Sequence, residues 1–319
     1  MNSIPVILDV DTGIDDALAI ILAVHHPTLD VRAITCVGGN VELEQVVANT
    51  LSVLALTGAG GIPVAAGMRY PLIEPPQDAS YVHGRNGVAD IDFPTHNLKP
   101  QNLHAVELLW RTLDAAPDPV TIIGLAPLTN IAVLLRMYPQ VSGKIGRIIF
   151  MGGAIGLGNA TPTAEFNVWH DPEAAEIVLR SGIPTTMYGL EPFYRVTCDA
   201  QTIAALQEST MPLRAAAGSL LAHLAKVTVD ESRIDAPGSA AIGDAGAVCA
   251  VIDPGGIVTR RAPVSVALSG NQTRGQTIVD LRSGLGSGSE VTSIDRGHVE
   301  VVIDVDGARY RDLFLAALP

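Results

Sequence analysis

The sequence predicts an α/β fold: one domain over residues 1–319, built on an open, mostly parallel mixed β-sheet flanked by helices. Three observations lead there. Short β-branched apolar runs alternate with amphipathic stretches up to residue 198, the pattern that builds a parallel sheet covered by helices. The runs are continuously apolar, as strands buried on both faces should be. The 319 residues are 48% hydrophobic and 17% charged, enough for a large core and incompatible with intrinsic disorder.

In order, the runs Ile4–Val10, Val31–Val37, Ile62–Ala65, Val120–Ile123, Ile148–Met151 and Pro184–Tyr188 read as strands. Between them, Ile14–His26, Glu42–Thr57, Leu103–Ala116, Leu128–Tyr138 and Pro172–Ser181 read as helices. After residue 198 the pattern shifts. Ala200–Gln207, Leu213–Val227 and Ser239–Ile252 are expected helices, and Val264–Leu268, Gln276–Leu281 and His298–Ile303 expected strands. Ser283–Ser289 reads as a hairpin-like loop, and Gly307–Leu318 as a closing amphipathic helix. Arg69–Pro100 is long, proline-rich and irregular, and loops of that length in compact domains are often functional.

Composition excludes several classes of function. Net charge is −13, from 33 acids and 20 bases. Lysine occurs only at Lys99, Lys144 and Lys226, and no basic stripe is present, so no nucleic-acid partner is expected. The longest apolar runs, such as Ala17–Val24, fall short of the roughly 18 residues a bilayer span needs, so no membrane partner is expected. Cys36, Cys198 and Cys249 are scattered and form no CxxC, which argues against disulfides and thiolate metal sites. The N-terminus reads directly as a strand and not as a signal peptide, so the expected compartment is the cytoplasm.

In an open parallel sheet, ligands bind beyond the carboxyl ends of the strands. There the sequence puts Asp9, Asp11, Asp15 and Asp16, then Gly38-Gly39-Asn40, then Gly124-Leu125, then a glycine-rich loop with Asn159, Glu165 and Asn167, then Glu191. This rim of carboxylates and amides without lysine has the ligand chemistry of a hard cation. Asp9 and Asp11 lie two apart on a strand end and point to one side, while Asp15 and Asp16 open the next helix. A single aspartate there is a helix cap. Four within eight residues repel one another and need a counter-charge.

Asp-Val-Asp-Thr-Gly-Ile-Asp-Asp-Ala at residues 9–17 resembles the N-terminal signature of the inosine-uridine preferring nucleoside hydrolases. Gly39-Asn40, the His83-Gly84-x-x-Gly87 loop and Leu128-Thr-Asn-Ile-Ala132 are similar to further motifs of that family. So are the stretch from Met151 through Gly158-Asn159 and Ala164-Glu-Phe-Asn167, Asp171-Pro-Glu-Ala-Ala175, and Arg274-Gly-Gln-Thr277. Together they follow the family order over nearly the whole chain.

The resemblance implies a Rossmann-like nucleoside hydrolase fold and hydrolysis of the N-glycosidic bond of a ribonucleoside to ribose and free base. It implies one Ca²⁺ held by Asp11, Asp16, the main-chain carbonyl of Leu125 and Asp244. By the same likeness, Asp11 activates a metal-bound water. Asp15 and Asn167 hold the 2′- and 3′-hydroxyls, Asn159 and Glu165 the 5′-hydroxyl side, and Asn40 orients the ribose. His83 falls on the base side; as a residue on its own it reads equally well as a loop histidine. Phe166 and Trp169 either wall the pocket or pack in the core, Trp169 more in the core. Family members are commonly homodimers or homotetramers.

One position departs from the family pattern. Where His-Asp-Pro is usual, Ala241-Ile-Gly243-Asp244-Ala245 keeps the aspartate and replaces the histidine, which in some members protonates the leaving base, by Gly243. His223, Lys226 and Arg233 are candidate substitute donors. Two other readings follow from the residues: a Ca²⁺-dependent ribose- or nucleoside-binding protein with little turnover, and a haloacid-dehalogenase-type phosphatase using Asp9 and Asp11. The phosphatase leaves Asp15, Asp16, Asn159, Glu165 and Asn167 without a role and wants a phosphate-binding lysine.

Overall fold

The computed structural model describes residues 3–91, 93–227, 233–234, 236–282 and 297–318. Eleven strands are present among them: β1 (Ile4–Val10), β2 (Leu29–Cys36), β3 (Val64–Ala66), β4 (Val120–Gly124), β5 (Ile145–Met151), β6 (Thr185–Tyr188), β7 (Thr197–Cys198), β8 (Ala240–Ala241), β9 (Ile257–Val266), β10 (Thr277–Val279) and β11 (Gly297–Val305). Nine form one sheet in the order β10-β9-β11-β6-β5-β4-β1-β2-β3; β7 and β8 pair separately. The seven strands from β11 to β3 run parallel, and β9 is antiparallel to both β11 and β10. This is the mixed, mostly parallel sheet expected from the alternating pattern.

The core has two layers because the central strands are buried on both faces. Val6, Leu8 and Val10 of β1 pack with the helices Ile14–His25, Leu43–Leu56 and Ala245–Ile252. Ile7 points the other way, into a cluster with the helices Ala105–Ala115, Thr129–Met137 and Pro172–Leu179. The period of two in side-chain direction makes one strand serve both layers. The helix Ile14–His25 is apolar almost all round, with Ile14 and Ala17 through Ala23 buried, which suits its place between the sheet and the Ala245–Ile252 helix.

Chain order reverses beside β1. From β1 the chain steps outward to β2 and β3, then crosses back to β4 on the other side. Register sets Asp9 opposite Gly124 on β4 and opposite Thr35 on β2, and Leu125 N–H donates to Asp9 O at 2.8 Å. The loops after β1 and β4 therefore diverge from neighbouring strand ends and open a crevice.

Several expectations are corrected. Ser239–Ile252 is not one helix: Ala240–Ala241 pairs antiparallel with Thr197–Cys198, and the helix starts only at Ala245. The alanine-rich local sequence hides a pairing made with residues forty positions away, and Gly243 and Gly246 weaken the helix start. β9 begins at Ile257, seven residues before the expected Val264, because its exposed half carries Thr259, Arg260 and Arg261 and lacks the apolar signature of a doubly buried strand. Phe166–His170, Leu190–Phe193 and Ser80–His83 form short helices that periodicity is too short-ranged to mark. The Ser283–Ser289 loop lies outside the described residues. Among the described residues no helix is long and apolar enough to cross a membrane.

Candidate active site

A cavity of about 220 Å³ opens above the crevice. Asp15, Asn40, His83, Leu125, Asn159, Glu165, Phe166, Asn167 and Asp244 line it, so most of the residues that the resemblance assigns to ion and substrate meet in one place. Asp11 and Asp16 are fully buried and joined to the lining by hydrogen bonds. Asn40 N–H donates to Asp11 Oδ2 at 2.8 Å and Asn40 Nδ2 to Asp11 Oδ1 at 3.1 Å. The same Nδ2 reaches Asp16 Oδ2 at 3.3 Å, and Asp11 N–H donates to Asp16 Oδ1 at 3.3 Å.

Local structure explains these positions. Asp16 sits in the first helical turn, where its Oδ2 accepts from Gly13 N–H at 2.9 Å, and the helix N-terminus favours its charge. Gly39 lets the backbone after β2 close on Asp11, since a Cβ there would collide with Asp11 Oδ2. Asp244 starts the Ala245–Ile252 helix from the opposite wall. Asp15, Asp16 and Asp244 each offer an oxygen, all within 4.8 Å of one another.

Electrostatics make this cluster incomplete by itself. Burial, followed by the charge of Asp16, holds Asp11 well above the usual carboxylate range. Burial and then the charges of Asp15 and Asp16 do the same for Asp244. Asp16 is pushed up to about 8 by burial and by Asp15. Asp15 Oδ1 is buried without a hydrogen-bond partner. No lysine or arginine among the described residues lines the cavity. Clustered carboxylate oxygens and a nearby main-chain carbonyl, with no lysine or arginine among the described lining residues, make a donor set that fits a hard divalent ion. The absence of a basic lining is the opposite of a phosphate cradle.

The remaining walls have defined polarity. Asn167 Nδ2 donates to Leu125 O at 3.0 Å and Met151 O at 3.1 Å, which leaves its Oδ1 to accept. Asn159, exposed on the rim, accepts at Oδ1 from Phe166 N–H at 2.9 Å, which leaves its amide to donate. Glu165 caps the Phe166–His170 helix: Oε1 accepts from Asn167 N–H, and Oε2 from Gly153 and Val168 N–H. Burial raises its pKa to about 7 against those bonds. Ile14 N–H donates to His83 Nδ1 at 3.1 Å, so the ring proton belongs on Nε2; burial lowers its pKa.

Sequence reading missed the apolar end of the cavity, lined by Tyr81, Val82, Phe193, Tyr194, Leu224 and Ile234. Phe193 and Tyr194 follow the end of β6, so the strand-end rule could have found them. It also gave no role to Glu191, whose Oε1 accepts from Ile155 and Gly156 N–H and braces the loop leading to Asn159. Trp169 does not line the cavity and packs against Phe166. His223, Lys226 and Arg233 are also absent from the lining. His223 Nε2 bonds Val82 O, Arg233 donates to Gly158 O and lies over the Tyr194 ring, and Lys226 is exposed.

The family model for inosine-uridine preferring nucleoside hydrolases matches residues 6–312. A pyrimidine-specific ribonucleoside hydrolase RihA of Citrobacter koseri is 37% identical over 318 residues, covering 99% of this chain and 98% of that protein. RihA of Shigella flexneri is 38% identical over 313 residues, with 98% and 97% covered. Among solved structures, the plant nucleoside hydrolase PpNRh1 superposes with a TM-score of 0.90 at 29% identity over 99% of each chain. A purine-preferring ribonucleoside hydrolase from Gardnerella vaginalis gives 0.88 at 28% identity over 98% of each. Matched from β1 to the last helix, the chain belongs to the inosine-uridine preferring nucleoside hydrolase family and is an N-glycosidase of ribonucleosides.

Proposed function

We propose that this protein hydrolyses ribonucleosides to ribose and free base in a Ca²⁺-dependent reaction, with Asp11 as general base. The observation that carries the reading is the cluster of buried Asp16 and Asp244 with half-buried Asp15, whose oxygens lie within 4.8 Å, with no lysine or arginine among the described residues lining the cavity. Asp11, Asp16, Asp244 and the Leu125 carbonyl would hold the ion, with waters and the ribose diol bringing it to about eight oxygens, a number suited to calcium. When bound, the ion offsets the carboxylate charge and acidifies water.

The chain's own residues do the rest. Asp11, oriented by two bonds from Asn40, takes a proton from the water that attacks the anomeric carbon. The Asp15 carboxylate and Asn167 Oδ1 accept from the 2′- and 3′-hydroxyls, and Asn40 Oδ1 orients the ring. Asn159 donates to the 5′-hydroxyl above Glu165. As the C1′–N bond breaks, positive charge develops on the sugar, and the surrounding carboxylates stabilise it. His83 Nε2–H and Phe166 face the base, where His83 donates to it as it gains negative charge.

The test is a panel of purine and pyrimidine ribonucleosides with free base measured, before and after chelation. Base release that stops on chelation and returns with Ca²⁺ is expected. Nucleoside binding without release would make the protein a binder, and neither binding nor release would end the reading. Its relatives include both pyrimidine-specific and purine-preferring enzymes, so the panel must cover both.

A further inference from the structure

Gly243 stands where the family resemblance leads one to expect a histidine, and its surroundings do not suit one. Its φ is +57°, a conformation costly for most side chains. A Cβ there would lie 2.5 Å from Asp15 Cβ and 2.8 Å from Asp15 Oδ2. It would run into Asp15, and Gly243 itself does not line the cavity. On the other side of Asp15, Oδ1 is 3.9 Å from His83 Nδ1 and has no hydrogen-bond partner. This carboxylate is therefore placed by packing between the Ile242–Asp244 turn and His83. The same turn delivers Asp244, whose oxygen meets those of Asp15 and Asp16 within 4.8 Å.

We propose that Gly243 is a positioning residue: the bare turn seats Asp15 beside Asp244, and the place that elsewhere carries a leaving-group acid here sets the spacing of the acidic cluster. The inference rests on the reading of Asp15 as a ribose ligand. It implies that putting histidine back at this position displaces Asp15 and does not restore an acid. The departing base must then be met from the opposite wall, where His83 stands.

A double-mutant cycle tests this. Gly243→Ala is made in the native background and in Asp15→Gly, which removes the opposing Cβ. The strain of alanine at φ +57° is common to both backgrounds and cancels, leaving the coupling. Thermal unfolding, Ca²⁺ titration by calorimetry, and KM and kcat on the best ribonucleoside are measured. With Asp15 present, Gly243→Ala is expected to lower Tm by several degrees and to weaken Ca²⁺ binding about tenfold, within the range of direct contact couplings. KM should rise more than kcat falls, and the ion penalty should shrink to about threefold or less in Asp15→Gly. Failure of Gly243→Ala to fold only when Asp15 is present supports the proposal equally. Equal penalties in both backgrounds overturn it, as does failure to fold in both. Gly243→His that raises kcat at unchanged KM also overturns it, marking the position as a vacated acid site. If the native protein bound no ion and released no base, the functional reading would fall, while the thermal cycle would still decide whether Gly243 seats Asp15.

Discussion

Asn40, Asn159 and Asn167 share one side-chain type and offer a substrate different things. Asn40 and Asn167 direct their amide hydrogens into the protein, toward Asp11 and Asp16 and toward the Leu125 and Met151 carbonyls, and present acceptors. Asn159 has its oxygen on Phe166 N–H and presents a donor. Asn159→Asp should therefore keep the loop and lose the donor: KM rises about tenfold, near one hydrogen bond, with Tm unchanged. An unaltered KM would remove Asn159 from substrate binding. Asp11→Asn should lower kcat by about 10³-fold, within the usual range for a general base, with folding intact by circular dichroism; near-normal turnover would exclude Asp11 as the base. All three amides were legible in the sequence as rim residues. Their donor or acceptor sense was not, because it depends on buried carboxylates and backbone groups that only the folded chain brings alongside.

At the scale of elements, the Phe166–His170 helix is too short to be stable alone and is held by its cap. Glu165 satisfies the Asn167 and Val168 amides of the first turn and also Gly153 after β5, so one carboxylate ties a strand end to a helix start. Glu165→Gln replaces one accepting oxygen by a donor facing N–H groups. A loss of about 1–3 kcal/mol follows, to be read from denaturant midpoints together with a raised KM as Asn167 shifts. An unchanged midpoint would show that the cap is dispensable. Long amphipathic helices and doubly buried strands were readable from periodicity, since they repeat their signal over many residues. The split of 239–252 into strand, turn and helix was not, because β8 exists only by pairing with β7. The exposed start of β9 was likewise set by its long antiparallel pairing with β11.

At the scale of the whole molecule, several carboxylates of the acidic centre are buried at a cost to their charged form. Asp9 and Glu165 are raised to about 7 and Asp16 to about 8, each chiefly by burial, against unfolded values near 4. The folded state thus holds protons more tightly than the unfolded chain. The associated stability is full below about pH 4 and is lost as pH rises through 7 to 8. Chelated protein should lose Tm from about pH 5 to pH 8.5, and added Ca²⁺ should raise Tm more at the higher pH, because ion binding requires the deprotonated carboxylates. A Ca²⁺-induced shift that was larger at pH 5 would contradict this. The fold class, the chain order of central strands and helices, and the residue types collected at the strand ends were all legible before folding, since periodicity and strand-end chemistry are local properties. Only the folded chain shows how closely Asp15, Asp16 and Asp244 approach one another, which wall offers donors and which acceptors, and that Gly243 lies against Asp15. The cluster and the Gly243 contact join segments more than two hundred residues apart, and the donor sense rests on nearer bonds such as those of Asn159 to Phe166 and Asn167 to Leu125; no local pattern encodes the distance or direction of such contacts.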